Sequence, residues 1–201
     1  QHLYEDRLNY MIEKIFHKTL KKDFPKITVI STVKTSKELE LVKEAFFRQN
    51  YNNKYLVLKA EFPIEISNTQ IEIISENTTL EEFVKNSLNN GYIAYFESCD
   101  WYGENYLTDL ALLLRYDRYD AIGKACYYTN FDGQIVLNQD ECVYQNVQEL
   151  SLSRAIVSCD VIDQIDLKKD FICAEQGLDL ISADEFNYCK NYTEEKCKEV
   201  S

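Results

Sequence analysis

The spacing of apolar positions changes near residue 25. Over residues 3 to 22, Leu8, Met11, Ile12, Ile15, Phe16 and Leu20 recur three and four apart, which lays one apolar stripe along a helix and leaves the lysines solvated. Pro25 ends that pattern. From Ile27 the chain switches to short apolar runs separated by helical segments. Ile27 to Ile30 reads as a buried strand, and Thr35 with Glu38 as a capping pair that opens a helix through Arg48. Tyr55 to Leu58 and Gln70 to Ile74 read as strands, Thr78 with Glu81 as the start of a helix stopped by Asn90-Gly91, and Tyr92 to Phe96 as a further strand. Strands alternating with helices predict a mainly parallel sheet covered on both faces.

The second half is more mixed. Glu104 to Arg115 predicts a helix burying Leu107, Leu110, Leu113 and Leu114. Ala121 to Tyr128 and Gln134 to Leu137 predict a hairpin about Asp132-Gly133. Asp166 to Gln176 predicts a helix stopped by Gly177, followed by a strand over residues 178 to 182. The organisation expected is an N-terminal amphipathic helix over residues 1–24 and one α/β domain over residues 25–201. The helix would serve as a brace on the domain or as an oligomer contact.

Composition narrows the function classes. With 201 residues, 45% hydrophobic and 28% charged, the chain is an ordinary globule of one domain. Its net charge of −12, with no basic stripe, disfavours a nucleic-acid backbone or an anionic membrane as partner. No apolar run approaches a membrane span, and no leader pattern opens the sequence, which begins at Gln1. Seven cysteines without a CxxC pair read as reduced thiols and place the protein in the cytoplasm. A zinc site is disfavoured because the two histidines, His2 and His17, sit far from every cysteine in sequence. The sequons at Asn77 and Asn191 read as chance in an asparagine-rich chain. There is no GxGxxG, Walker A or GxSxG motif.

In a parallel sheet, ligands bind outside the carboxyl ends of the strands. The loop after Phe96 is the informative one: Glu97-Ser98-Cys99-Asp100-Trp101-Tyr102-Gly103-Glu104-Asn105-Tyr106-Leu107. An apolar strand running into acidic residues and then Trp-Tyr-Gly-x-Asn-Tyr-Leu resembles family-2 glycosyltransferases of the GT-A type. The likeness is to the bacterial subgroup with several aspartates before a Tyr-Tyr-Gly-Pro-Asn-Tyr-Leu-like turn. Phe47-Arg48-Gln49-Asn50-Tyr51-Asn52-Asn53-Lys54 is similar to that family's connection into its second strand, and Ile181 to Tyr188 to its closing segment.

The resemblance implies transfer of a sugar from a nucleoside-diphosphate sugar to an acceptor, such as a cell-surface polysaccharide. It also implies a Mg²⁺ or Mn²⁺ ion on an Asp-x-Asp motif, which neutralises the leaving diphosphate. Here Glu97 stands for the first aspartate, Ser98 for the spacer and Cys99 for the second aspartate, while Asp100 is unchanged. Glu97 and Asp100 are the expected metal ligands; a thiol is a soft donor that suits neither ion. Read without the resemblance, both are solvated carboxylates at a strand end. Asp170 is the expected general base. Thr32 and Lys34, in the loop after the first strand, Arg154 on a phosphate, and the rings of Trp101 and Tyr102 stacked on a sugar are the expected substrate-binding residues. The alternative expectation is a non-catalytic relative that keeps the scaffold as a binding or interaction module.

Overall fold

The computed structural model describes residues 24–192 apart from 65, 76 and 89, together with Lys14. The amphipathic helix expected over residues 3 to 22 otherwise lies outside the described residues, as does Cys197.

Among the described residues thirteen strands form: β1 (Ile27–Val33), β2 (Lys54–Ala60), β3 (Ile71–Ile73), β4 (Tyr92–Tyr95), β5 (Trp101–Tyr102), β6 (Ala121–Gly123), β7 (Tyr127–Phe131), β8 (Gln134–Asn138), β9 (Glu149–Ser151), β10 (Ala155–Ser158), β11 (Phe171–Cys173), β12 (Leu180–Ser182) and β13 (Tyr188–Lys190). Seven make the central sheet, in the order β12-β6-β10-β4-β1-β2-β3. The β1, β2, β3 and β4 pairings are parallel, as is β12 with β6, and only β10 runs against its neighbours. The protein is thus a mixed α/β fold with a large, mostly parallel central sheet and few helices.

The strands alternate their side chains between two cores, as a pleat requires. Val29, Leu56, Leu58, Ala94 and Phe96 face the helices Ser36–Arg48 and Tyr106–Leu113. Ile30, Val57 and Ile93 face the helix Leu80–Ser87 and the short 3-10 helix Cys159–Gln164. Caps set the helix starts: the Thr35 hydroxyl accepts from the Glu38 N–H, and Thr79 with Glu82 forms a full capping box, one residue later than the Thr78 and Glu81 expected. Gly91 adopts φ of 93°, and a Cβ there would collide with the Lys26 carbonyl, which is why the turn into β4 takes glycine.

Two expectations fail. Ala121 to Tyr128 is not one strand: β6 lies in the central sheet, while β7 pairs with β8 in a separate four-stranded sheet, β5-β13-β7-β8. Residues 166 to 176 are not an α-helix. The Asp166 carboxylate accepts from the Lys168 N–H in a local turn, and β11 then pairs antiparallel with β9. The backbone had a competing partner for its first donors, and the β9 edge took the rest. Only Ala174–Gln176 turns, as a 3-10 helix, and Gly177 follows it at φ of 82°.

The three segments singled out in the sequence meet around Gly103. Gln49 donates to the Gly103 carbonyl at 2.8 Å and accepts from the Leu107 N–H at 3.1 Å. The Gly103 N–H donates to the Asn187 carbonyl at 2.9 Å. Asn187 in turn donates to Asp109 at 2.6 Å.

Candidate functional site

The chain leaves β4 at Tyr95 and turns through residues 96 to 100 before β5. Two aromatic residues fix that turn. Tyr102 stacks on Phe96 with centroids 3.9 Å apart and planes 5° from parallel. Its hydroxyl accepts from the Glu97 N–H at 3.0 Å and donates to the Ser153 carbonyl at 2.8 Å. Because β10 is antiparallel to β4, its entry residues Leu152 and Ser153 arrive beside the carboxyl end of β4. A short antiparallel strand therefore delivers hydroxyls and backbone to the edge where the parallel strands end.

A cavity of about 310 Å³ opens there, lined by Tyr95, Glu97, Cys99, Asp100, Ser153 and Asp170 together with Lys168, Lys169 and Lys190. Glu97 and Asp100 are half-buried and Asp170 is exposed. The Glu97 carboxyl is pushed above its ordinary range, first by burial and then by the charges of Asp100 and Asp170. Burial likewise raises Asp100, against the pull of three donors: the Tyr188 hydroxyl at 2.5 Å, the Asn191 N–H at 2.9 Å and the Cys99 thiol at 3.6 Å. The Cys99 thiol is pushed up to about 11 by burial and by both carboxylates, so at neutral pH it is a neutral S–H.

Asp170 and Asp100 are joined by hydroxyls. Asp170 accepts from the Ser151 hydroxyl at 2.7 Å, and Ser151 and Ser153 share a hydrogen bond of 2.9 Å. Ser153 contacts the Tyr188 hydroxyl, which donates to Asp100. Three side chains, Ser151, Ser153 and Tyr188, thus connect the two carboxylates without an apolar gap.

The remaining expected residues are placed as follows. Trp101 is half-buried on the far side of the turn, in a second cavity of about 500 Å³. Tyr102 is fully buried in the core, so its ring offers no face to a ligand and the stacking role expected for it is withdrawn. Thr32 hydrogen-bonds the Tyr95 hydroxyl at the edge of the acidic cavity, and Lys34 is exposed, with its N–H on Glu38 at 2.6 Å. Arg154 is not brought to the acidic cavity. It donates to the Lys124 carbonyl at 2.8 Å, lies 4.0 Å over the Tyr127 ring, and lines a third cavity beside Glu149.

Sequence reasoning missed Tyr188, Ser151, Ser153 and Lys190. Tyr188 lay in the closing segment of the resemblance but was given no role, and the other three carry no local signal; long-range pairing brings each to the site.

The donor chemistry admits a hard dication in one form. Carboxylate oxygens on Glu97 and Asp100 suit it and the neutral Cys99 thiol does not. Among the described residues no group of three or more His, Cys, Asp or Glu side chains is arranged to hold a metal by itself. Mg²⁺ is often held by one or two carboxylates plus substrate phosphates. The residues present fit that shared arrangement, not a closed protein cage.

With this geometry in view, the solved structure of Staphylococcus aureus TarS, residues 1–349, in complex with UDP-GlcNAc matches over 84% of this chain, with a TM-score of 0.54 and 11% sequence identity. The two chains share a fold over that region. The matched region spans 59% of the TarS chain. No family model and no curated protein sequence matches. Among the described residues no helix is long and apolar enough to cross a membrane, and none of the six described cysteines is in a disulfide.

Proposed function

We propose that the protein is a glycosyltransferase of GT-A type that takes a sugar from a nucleoside-diphosphate sugar and passes it to an acceptor hydroxyl. The observation that carries this reading is the convergence of Glu97, Asp100 and Asp170 on one cavity at the carboxyl end of β4. That is the edge where a nucleotide lies in open α/β sheets. The TarS structure, which holds UDP-GlcNAc on a similar fold, supports the donor class.

Asp170 takes the proton from the acceptor hydroxyl; its attacking oxygen bonds the anomeric carbon as the bond from that carbon to the diphosphate oxygen breaks. Ser151 and the Ser153 N–H orient the Asp170 carboxylate for that step. Glu97 and Asp100 would hold a Mg²⁺ or Mn²⁺ ion, which when bound neutralises charge on the departing diphosphate. Lys168, Lys169 and Lys190 line the same cavity and add positive charge beside it. Thr32 orients Tyr95 at the cavity rim. A cell-surface polysaccharide is the acceptor class proposed, and a reducing compartment suits the free thiols.

Isothermal titration with UDP and GDP, each with and without Mn²⁺, tests this. Binding that strengthens with Mn²⁺ is expected for at least one nucleotide. Absence of binding by both contradicts the proposal.

One observation favours a second reading, a non-catalytic relative with a retained scaffold: Cys99 sits between the two carboxylates as a neutral thiol. Cys99→Asp separates the two. If Mn²⁺-dependent UDP binding appears only in the variant, the natural chain is the non-catalytic form.

A further inference from the structure

Arg154 is a charge that the acidic cavity does not use. It follows Ser153 directly, and ahead of β10 the two side chains part: Ser153 lines the acidic cavity, Arg154 a third cavity of about 560 Å³. The two cavities share no lining residue. Arg154 is only 9% exposed. Its Nε donates to the Lys124 carbonyl at 2.8 Å, and its guanidinium carbon lies 4.0 Å from the centre of the Tyr127 ring. Those contacts fix the guanidinium and leave its four Nη hydrogens without a partner among the described residues. Among the same residues Tyr106 Oη is the sealed side-chain polar atom that lacks a partner. The Arg154 Nη groups lack one without being sealed, so they open on the cavity. A cation taken out of water is costly until an anion meets it.

Much of the cavity wall is the segment 139–149, which joins β8 to β9. Its backbone is tied down: the Val147 N–H donates to the Leu180 carbonyl at 3.1 Å, the Gln145 carbonyl accepts from the Ser182 N–H at 2.9 Å, and the Gln148 carbonyl accepts from the Ala174 N–H at 2.9 Å. The wall is therefore pre-formed. It carries the exposed carboxylates of Glu141 and Glu149 and the amides of Gln139, Asn146 and Gln148. Neither carboxylate forms an ion pair with Arg154. A phosphate dianion would meet two negative charges there for one positive, on a protein whose net charge is already −12. A ligand that carries both signs fits the pattern: a carboxylate matches the planar fork of the guanidinium, and an ammonium matches the glutamates. The volume falls within the roughly 300–1,000 Å³ of small-molecule pockets.

We propose that this third cavity binds a zwitterionic amino acid, its carboxylate on the Arg154 guanidinium and its ammonium on Glu141 and Glu149. The inference does not rest on sugar transfer at the acidic cavity.

Calorimetric titration with L-alanine, L-glutamine and L-phenylalanine tests it, with propionate, ethylamine and inorganic phosphate as ligands that carry one sign only. Saturable binding is expected for at least one amino acid, at least ten-fold tighter than for any of the three single-sign ligands. Arg154→Lys keeps the charge but loses the fork and should weaken that binding about ten-fold. The double variant Glu141→Gln, Glu149→Gln, at exposed positions, should weaken it about three-fold. Thermal unfolding of each variant is the control for folding, and if Arg154→Lys does not fold the double variant decides. No binding by any of the amino acids, equal or tighter binding of phosphate or propionate, or unchanged affinity in a folded variant overturns the inference. UDP binding, measured alongside, succeeds or fails independently of that outcome.

Discussion

Two charged clusters lie within reach of the central sheet, and they are built on opposite principles. Lys124 is fully buried, and its ammonium meets the Asp184 carboxylate at 2.5 Å, which also accepts from Tyr144 and the Phe186 N–H. Opposite charges there satisfy one another, and the pair joins the end of β6 to the segment that follows β12. The cluster of Glu97, Asp100 and Asp170 instead brings like charges together, and each raises the cost of ionising Glu97. A closed ion pair fastens a fold; converging carboxylates beside a cavity are a strain that a ligand or a cation relieves.

The largest expected effect comes from the second cluster. Asp170→Asn should lower transfer by about 10²- to 10⁴-fold, the range for loss of a general base, with thermal unfolding little changed because the residue is exposed. Steady-state rates with a labelled nucleotide sugar check it. Next is the first cluster: Lys124→Met strands the Asp184 carboxylate and should cost about 3 kcal/mol in denaturant unfolding. Equal losses of stability in the two variants would erase the distinction between a fastener and a site.

A smaller effect is expected where the two principles meet. Tyr188→Phe removes the 2.5 Å donor to Asp100 and should cost about 1 to 2 kcal/mol at neutral pH, measured by the same unfolding experiment. The smallest effect has the opposite sign. Glu97 titrates higher in the folded state than in the unfolded chain, so stability falls as the pH rises through the interval between the two values. Glu97→Gln should therefore stabilise the protein at neutral pH, by less than about 1 kcal/mol because solvent screens a half-exposed group. The gain should vanish below the ordinary carboxyl range, where both states are protonated. A destabilised Glu97→Gln at neutral pH would mean that the carboxylate has a favourable partner.

The half of the fold from Ile27 to Phe96 was legible because its strands are continuous apolar runs and its helices carry side-chain caps. Beyond Ala121 the strands are mostly three to five residues long and pair with distant partners, so period carries little signal. β10, Ala155–Ser158, escaped notice for that reason, although it positions Ser153 at the site. The Asp166 turn took the place of a helix start that composition alone favoured. Glu97 and Asp100 were readable as carboxylates at a strand end, whereas Asp170 was expected on a helix and was singled out only through the family resemblance. The hydroxyl bridge through Ser151, Ser153 and Tyr188 was not, because it exists only once β9, β10 and β13 have been placed.

The central claim is that the acidic cavity receives the diphosphate of a nucleotide sugar. A crystal structure of the chain with UDP-GlcNAc and Mn²⁺ tests it most directly. The account predicts diphosphate oxygens and the Glu97 and Asp100 carboxylates around one cation, with Asp170 facing the sugar. A nucleotide bound elsewhere on the molecule, with the Glu97 and Asp170 side chains turned away from it, would contradict it.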